Sequence, residues 1–458
     1  MRKIIFLIII TFMYLSGYAQ IMSCGNLSNG NRQKSASTSC NEFSVPTYSG
    51  YSSANTPIKY VRITIHVMLK SDGTGNFPDN QASRDYISGR LMNLLNNKYS
   101  NTQPMALSTN SPYYQDTRIQ FSLANIYFWY NDIDCNISSN PITGASQMNS
   151  TLRPNYVDNQ PSVQFKNNSV HVFFVTIGTA TASGQASDIG DKKWVYAANP
   201  WLNYVNNTEW FSASLLAHEL GHSMGLYHTW CGGDYCDDTP DNHDCWNNGT
   251  APNSNDCLTY PPGYTCPIAS NNLMDYNASE SALTQCQINR IHYFLLGNEG
   301  NISDCLISGV QTNQPTLIGN STICYSGTSE NLSNIQFGEL INWSVAPVIV
   351  LNSNGCGNNT LLQPLNPLNS GSTQISYNVG WGNYGNTTIS KNLMIGFDNI
   401  QNVIYSSNTI VNEICTELNL TNVTINNNAS VTFNTNGNGI IINGIFQAQT
   451  GSTLTINK

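Results

Sequence analysis

The sequence predicts an α+β domain, built from a twisted mixed β-sheet and a buried helix, followed by two all-β modules. Residues 57–305 alternate hydrophobic β-type stretches with segments of helical periodicity. Residues 306–398 contain alternating stretches broken by Gly and Asn, and residues 399–458 contain short β-type stretches at regular intervals. A chain of 458 residues is also too long for a single hydrophobic core, so several folded units are expected.

Four segments of the first module have clear periodicity. Three β-branched or strongly hydrophobic stretches predict strands, and one stretch with apolar residues at helical spacing predicts a helix. The strands are Tyr60–Leu69, Ile119–Phe128 and Ser169–Ile177, and the helix is Arg84–Tyr99. The third strand is almost unbroken in its hydrophobicity, which is typical of a central strand. We interpret His66 and His171, which lie within these strands, as sheet residues rather than metal ligands.

The N-terminus predicts export from the cytoplasm. Arg2 and Lys3 precede the apolar run Ile4–Tyr18, and small residues follow where a signal peptidase would cut, so residues 1–19 are expected to be a signal peptide. The run is shorter than the roughly 20 residues that span a bilayer, and no later stretch predicts a transmembrane segment. We therefore expect a secreted, extracellular protein, which its C-terminal modules could hold at the cell surface.

Composition argues against one class of partner and indicates how the cysteines are used. The net charge is −9, charged residues make up 10% of the chain, and no basic stripe is present, which argues against nucleic acid as a partner. Outside the cytoplasm cysteines pair. Because the count of 13 is odd, we expect disulfide bonds with one cysteine left over.

A cluster of histidines dominates the middle of the chain. His218 and His222 are one helical turn apart, so both imidazoles leave the same face, with Glu219 beside them. If the helix continued, His228 would lie roughly 15 Å further along the axis. The helix must therefore end before His228, and Gly225 is the residue that can reverse the chain without a steric penalty.

Three neutral imidazoles suit one catalytic zinc ion. They leave a position of a tetrahedral Zn²⁺ open, which is the catalytic type of site. His218, His222 and His228 are the predicted ligands. The alternative, a buried helix with incidental histidines, does not account for Gly225 and His228 at these positions.

The histidine pattern resembles the metzincin signature His-Glu-x-x-His-x-x-Gly-x-x-His. Asn271–Tyr276 is similar to the methionine-containing turn of metzincins, and Leu226–Trp230 and Leu283–Ile291 narrow the resemblance to the pappalysin family of zinc endopeptidases. The resemblance is close from about Ser212 to Leu296 and ends at Cys305.

This resemblance implies peptide-bond hydrolysis of protein or peptide substrates. It assigns Glu219 as the general base and acid, Met274 as a hydrophobic floor beneath the imidazoles, and Tyr276 as a stabiliser of the oxyanion. A packed core tyrosine is the alternative for Tyr276. The resemblance also implies a substrate-pairing edge strand within residues 178–205.

The segment 20–56 resembles the pro-segment of pappalysin precursors. Its Met22–Asn26 stretch places Cys24 where a thiolate would occupy the open zinc position and keep a zymogen latent. A disulfide between Cys24 and Cys40, or lipid modification of an N-terminal Cys24, are the alternatives.

The loop after His228 resembles the calcium loop of the family. Asp234, Asp237 and Thr239 are the candidate ligands of a structural Ca²⁺, and a solvated acidic turn is the alternative. Downstream, the chain departs from the family pattern, because Cys286 lies within the following helix. The disulfide pairing therefore stays open. It also stays open whether this chain shares the family's usual preference for basic side chains in its substrates. His292, on the same helix, is interpreted as structural.

The C-terminal modules carry no catalytic signals. Cys324, Trp343 and Cys356 make residues 306–398 loosely similar to an immunoglobulin-like β-sandwich, and residues 399–458 are similar to a short β-solenoid that serves binding or sorting. We expect these modules to bind a surface or secretion machinery. The predicted protein is a secreted zinc metalloendopeptidase; the alternative is a surface adhesin with a non-catalytic metzincin scaffold.

Overall fold

The computed structural model of the protein describes residues 23–24, 54, 56–106, 113–178, 183–229, 234–236, 238–239, 270–275, 280–309, 315–324, 327–336, 338–345, 349–351, 359–364, 371–395, 399–412, 418–434 and 440–457. The chain divides into two compact units. One unit is Met1–Lys34 with Pro57–Val310, and the other is Ser35–Thr56 with Gln311–Lys458.

A mixed β-sheet forms the frame of the first unit. Its strands, among the described residues, are β1 (Ser23–Cys24), β2 (Lys59–Leu69), β3 (Ile119–Tyr130), β4 (Val170–Val175), β5 (Ser183–Ala186), β6 (Val195–Ala198) and β7 (Leu306–Ser308). The order is β1-β5-β6-β4-β2-β3, with β7 beside β2. Strands β2, β3, β4 and β6 run parallel, whereas β5 is antiparallel to β6. Every residue of β4 is buried, as its unbroken hydrophobicity predicted for a central strand.

Helices alternate with these strands along the chain. The predicted helix is present as α1, a π-helical stretch and α2, which follow one another without a break. Their bounds are Gln81–Asp85 for α1, Tyr86–Leu91 for the π-helical stretch and Met92–Ser100 for α2. The later elements are α4 (Pro200–Val205), α5 (Glu209–Ser223), α6 (Gln285–Leu295) and a 3₁₀ turn at Ile302–Cys305.

Two helical regions of the described chain were not predicted, α4 and residues 141–158. Helix α3 (Pro141–Gln147) continues into the π-helical stretches Met148–Leu152 and Pro154–Asp158. Its start does carry a local signal, because the side chain of Asn140 accepts hydrogen bonds from the first turn and Pro141 follows directly. An N-cap asparagine before a proline at the first helical position is a typical helix start.

The two strand histidines belong to a hydrogen-bonded chain inside the sheet. The indole N–H of Trp129 donates to Nδ1 of His66 at 3.0 Å, so Nε2 of His66 carries the hydrogen. That Nε2–H donates to Nδ1 of His171 at 2.9 Å, and Nε2–H of His171 donates to the carbonyl of Lys166 at 3.2 Å. Both rings are buried and neutral in this arrangement, which agrees with their interpretation as sheet residues.

His292 also has a structural environment. Its Nδ1 lies 2.6 Å from Nζ of the buried Lys59, and its Nε2 donates to the carbonyl of Thr117 at 2.7 Å. These contacts connect α6 to β2, in agreement with the structural interpretation of His292.

Cysteine pairing differs in part from the expectation of one leftover thiol. Cys236 and Cys286 form a disulfide bond, which settles the partner of the cysteine in α6. Cys135 and Cys305 are both free and buried. Burial raises the pKa of the Cys305 thiol to about 12, so this thiol is chemically inert at neutral pH.

The second unit is built from strands in its described part. One sheet contains β8 (Thr316–Gly319), β10 (Thr328–Ser333), β12 (Ile349–Leu351) and β13 (Asn359–Pro364), and another contains β9 (Thr322–Ile323), β11 (Leu340–Val345), β14 (Gly371–Gly380) and β15 (Asn386–Ile395). Alternate residues are buried, and the rings of Trp343 and Tyr377 lie 5.5 Å apart. A mixed helix-and-sheet unit is thus followed by β-strands, as predicted.

The last seven strands in the described part of the chain pair with one another in parallel and form two sheets. They are β16 (Asn399–Gln401), β17 (Ile404–Tyr405), β18 (Thr409–Asn412), β19 (Leu418–Ile425), β20 (Ser430–Asn434), β21 (Ile440–Ala448) and β22 (Thr453–Asn457). Asparagine side chains also form hydrogen bonds between paired strands, as in the bond of 2.7 Å from Asn457 to Asn434. The described part of the chain contains no helix that is long and apolar enough to span a membrane.

Replacement of His171 by Gln should make folding less sensitive to acid. Burial lowers the pKa of His171 to about 3 from 6.5, so its contribution to stability is complete above pH 6.5 and is lost as the pH falls from 6.5 towards 3. Between pH 8 and pH 5 this loss is about 2 kcal/mol. Urea unfolding of the metal-free protein at both pH values should show a loss smaller by that amount in His171→Gln. Equal losses in the two proteins would contradict the buried, neutral state.

Candidate metal centre

Helix α5 ends where the third histidine requires it to end. Its last residue is Ser223, and Gly225 follows with φ of +98°. The N–H of Gly225 donates to the carbonyl of His222 at 2.9 Å, and the N–H of Leu226 donates to the carbonyl of Gly221 at 3.0 Å. This is the Schellman pattern of a helix terminated by glycine. The chain reversal expected at Gly225 is therefore present.

The reversal brings three imidazoles together. The Nε2 atoms of His218 and His222 lie 3.2 Å apart, those of His218 and His228 also lie 3.2 Å apart, and those of His222 and His228 lie 3.1 Å apart. All three side chains are buried. The three nitrogens thus form a nearly equilateral triangle at the end of α5.

Backbone carbonyls select the tautomers of two of these rings. Nδ1 of His218 donates to the carbonyl of Leu273 at 2.8 Å, and Nδ1 of His222 donates to the carbonyl of Leu226 at 2.8 Å. A neutral imidazole carries one N–H, so the lone pair of each Nε2 faces the triangle. Burial lowers the pKa of all three histidines, that of His222 to about 4. The triangle therefore consists of neutral rings at pH 7.

These residues fit a zinc ion. Ligands about 2.0–2.1 Å from a tetrahedral Zn²⁺ are separated by roughly 3.3–3.4 Å. The observed separations of 3.1–3.2 Å are close to that value. Facing lone pairs repel one another without a cation between them, so the chemistry of this donor set calls for a metal. His218, His222 and His228 are also a group whose ligand atoms could hold one ion.

Glu219 lies beside the triangle and is fully buried. It faces Gly184 on β5, the strand that lies between β1 and β6. A Cβ added to Gly184 would lie 2.8 Å from Cγ and Oε1 of Glu219 and 2.8 Å from Cδ1 of Leu215. The absence of a side chain at residue 184 therefore provides the space that the carboxylate occupies. Sequence reasoning did not find Gly184, although it lies in the stretch where an edge strand was expected.

The methionine turn packs directly under the helix. A Cβ on Gly221 would lie 2.6 Å from Sδ of Met274, so this glycine permits the close approach of the buried methionine. The carboxylate of Asp275 accepts hydrogen bonds from the hydroxyl groups of Thr229 and Ser270. The turn is thereby attached to the residue that follows the third histidine. Tyr276, expected to act on the oxyanion, lies outside the described residues.

The N-terminal strand β1 reaches the same edge of the sheet. Ser23 pairs with Ser183 and Cys24 pairs with Gly184, in parallel. Because Gly184 also contacts Glu219, the backbone of Cys24 lies one strand away from the residue beside the histidines. The proximity of Cys24 to the site is thus a feature of the fold, and Cys40, its alternative partner, lies outside the described residues.

Two of the three candidate calcium ligands are close together. The hydroxyl of Thr239 donates to Oδ2 of Asp234 and lies 2.7 Å from the carbonyl oxygen of Cys236. Both Asp234 and Thr239 are buried. Asp237, the third candidate, lies outside the described residues.

A buried acid near the methionine turn was also missed. Glu280 is fully buried, and neither carboxylate oxygen has a hydrogen-bond partner within the described part of the chain. Burial raises its pKa well above the usual value; Lys98 opposes this shift, and the carboxylates of Asp275 and Glu219 add to it. Only the burial reveals this acid, because Glu280 stands in a polar segment that reads as solvent-exposed.

A three-histidine centre at the end of a buried helix, with a methionine turn beneath it and a mixed sheet beside it, resembles the metal centre of metzincin metallopeptidases. Residues 165–296 match the family model described as pregnancy-associated plasma protein-A. The matched stretch is that of a pappalysin-family metzincin, which confirms the resemblance inferred from the sequence. This family implies zinc metallopeptidase activity. No curated protein matches the chain.

Addition of one methyl group at residue 184 should impair activity. The Cβ of Gly184→Ala would displace Glu219, and a misplacement of about 1 Å can lower turnover on the order of 100-fold. We expect a 10- to 100-fold fall in kcat/KM with unchanged zinc content. Gly178→Ala is the matched control, because nothing lies within 4 Å of its added Cβ. Wild-type activity in Gly184→Ala would show that this contact does not position Glu219.

Proposed function

We propose that the protein is a zinc-dependent metalloendopeptidase that hydrolyses peptide bonds of protein substrates. The observation that carries this proposal is the triangle of three neutral Nε2 atoms beside a buried carboxylate. His218, His222 and His228 would hold the zinc ion. Three protein ligands leave a coordination position for water or substrate, which distinguishes a catalytic from a structural zinc site.

The chain's own residues supply proton transfer and positioning. Zinc, when bound, lowers the pKa of a water molecule and polarises the scissile carbonyl. Glu219 would take the proton of the attacking water and deliver it to the nitrogen of the leaving amine. The absence of a side chain at Gly184 leaves the space in which this carboxylate lies. We assign Tyr276 to the oxyanion, because it resembles the metzincin tyrosine that lies two residues after the turn methionine.

Replacement of Glu219 by Gln should abolish most activity without loss of metal. The amide cannot accept the proton of water, and general-base catalysis is typically worth about 10²–10⁴-fold. Casein hydrolysis should fall by that factor, whereas zinc content should stay at one ion per chain. Glu209→Gln, on the first turn of the same helix, is the control and should stay active. Wild-type cleavage by Glu219→Gln would refute the assignment of the base.

The alternative function is adhesion by a protein whose metzincin unit is only a scaffold. Large apolar side chains on the tail favour a binding role for that region: Ile404 is 64% exposed and Ile410 is 69% exposed. We propose that the tail and the immunoglobulin-like module before it are accessory modules that bind a surface or secretion machinery. A casein assay with and without a zinc chelator separates the two functions, since only the peptidase loses activity with the metal.

Latency through Cys24 is a further part of the proposal. Strand β1 brings the backbone of Cys24 beside Gly184, and a thiolate there would compete with water for zinc. The unprocessed protein should then be inactive, and Cys24→Ser should cleave casein before any processing. An inactive Cys24→Ser precursor, or an acylated Cys24 found by mass spectrometry, would exclude the latency role.

The proposal of a structural calcium ion rests on two of its three candidate side chains, because Asp237 lies outside the described residues. The buried oxygens of Asp234 and Thr239 and the carbonyl of Cys236 are hard ligands of the kind that Ca²⁺ prefers. Calcium should raise the thermal unfolding midpoint of the wild type and not that of Asp234→Asn. Equal midpoints with and without calcium would favour a simple acidic turn.

Secretion follows from the N-terminal pattern. Cleavage of residues 1–19 would release a mature chain that begins near Gln20. N-terminal sequencing of protein from the culture medium tests this directly, and retention of Met1 would contradict it.

A further inference from the structure

One face of helix α6 contacts the chain segment that follows α5. Cys286, Arg290 and Phe294 are spaced four residues apart, so their side chains leave the helix on one side. All eleven residues of α6 are buried. Phe294 and Arg290 meet this segment at Gly225, and Cys286 meets it at Cys236.

The most informative of these contacts is made by Arg290. Its guanidinium is fully buried, and Nη2 donates to the carbonyl of Gly225 at 3.0 Å. Its Cζ lies 5.2 Å from the ring centre of Tyr235, 5.6 Å from that of Phe294 and 5.7 Å from that of Tyr227. Aromatic faces stabilise a desolvated guanidinium, so the charge can be kept at this depth.

The contacts on either side of Arg290 hold the same segment. The ring of Phe294 lies where side chains of Gly225 and Gly190 would be, so both glycines pack directly on it. The N–H of Gly190 donates to the carbonyl of His222 at 2.9 Å. At the N-terminal end of the same helix face, the disulfide joins Cys286 to Cys236. One helix therefore contacts the Gly225 turn through a ring and a hydrogen bond, and it is joined to the segment after the turn by a disulfide bond.

We propose that Arg290 is a positioning residue of the metal centre, which acts by fixing the Gly225 turn. The turn determines where His228 is delivered. It also places the carbonyl of Leu226, which accepts Nδ1–H of His222 and so directs the lone pair of its Nε2 into the triangle. Two of the three candidate ligands thus depend on the turn that this guanidinium holds. This inference rests on the proposed zinc site.

The test is zinc affinity, measured on the full chain by competition with a chromophoric chelator. Loss of a residue that orients metal ligands typically costs about 10–100-fold in affinity. We expect Arg290→Met to weaken zinc binding by that factor. Arg290→Lys should show a smaller loss, because lysine keeps the charge and can still donate to a carbonyl but lacks the planar guanidinium. The visible absorption band of the Co²⁺-substituted protein should change in the same order.

Ile288→Ala separates positioning from general destabilisation. Ile288 is fully buried on α6, two residues before Arg290 and hence roughly 200° around the helix from it. This variant should lower the unfolding midpoint of the zinc-free protein and leave zinc affinity within about twofold of wild type.

Three results would overturn the proposal. Arg290→Met could bind zinc as tightly as wild type, or Ile288→Ala could weaken zinc as much as Arg290→Met does. If Arg290→Met does not fold, Arg290→Lys decides, and wild-type affinity with an unchanged Co²⁺ band in that variant refutes the role of Arg290. Wild-type protein that binds no zinc would instead refute the proposed function, so the two failures are distinguishable.

Discussion

Three buried imidazole nitrogens that lie 3.1–3.2 Å from one another are the constraint around which the first unit is organised. Such a triangle is unfavourable by itself, since the rings are desolvated and their lone pairs repel. A divalent cation reverses the sign of that interaction. The surrounding structure is explained by the need to hold the rings neutral, correctly oriented and close together before a metal is bound.

The supports come from the Gly225 turn and from distant parts of the chain. The carbonyl of Leu273, on the methionine turn, orients His218, whereas the Gly225 turn orients His222. The hydroxyl of Tyr99, from α2, donates to the carbonyl of Ala217 at 2.8 Å and so attaches the helix α5 to the helix before β3. Each support is a backbone carbonyl or a buried hydrogen bond. The centre is thus held by the fold and not by its own eleven-residue segment alone.

Glycines decide how closely these layers approach. Gly184 leaves room for Glu219, Gly221 for Met274, and Gly225 for the ring of Phe294. In each case a single methyl group would overlap the neighbour. The close packing between sheet, helix and turn therefore depends on three residues without side chains, and only Gly225 among them needs its glycine for backbone conformation as well.

The sequence by itself determined the features that depend on local spacing. The histidine pattern identified the three candidate ligands and the end of α5, and hydrophobic periodicity located β2, β3, β4 and the helix before β3. These follow from helical and strand geometry, which acts over a few residues. Only the tertiary structure decided the contacts of Gly184 and Arg290, the burial of Glu280, the pairing of Cys236 with Cys286, and the pairing of β1 with β5. Each of these depends on contacts between segments far apart in the chain, and burial, which no local pattern records, is what gives those residues their chemical effect.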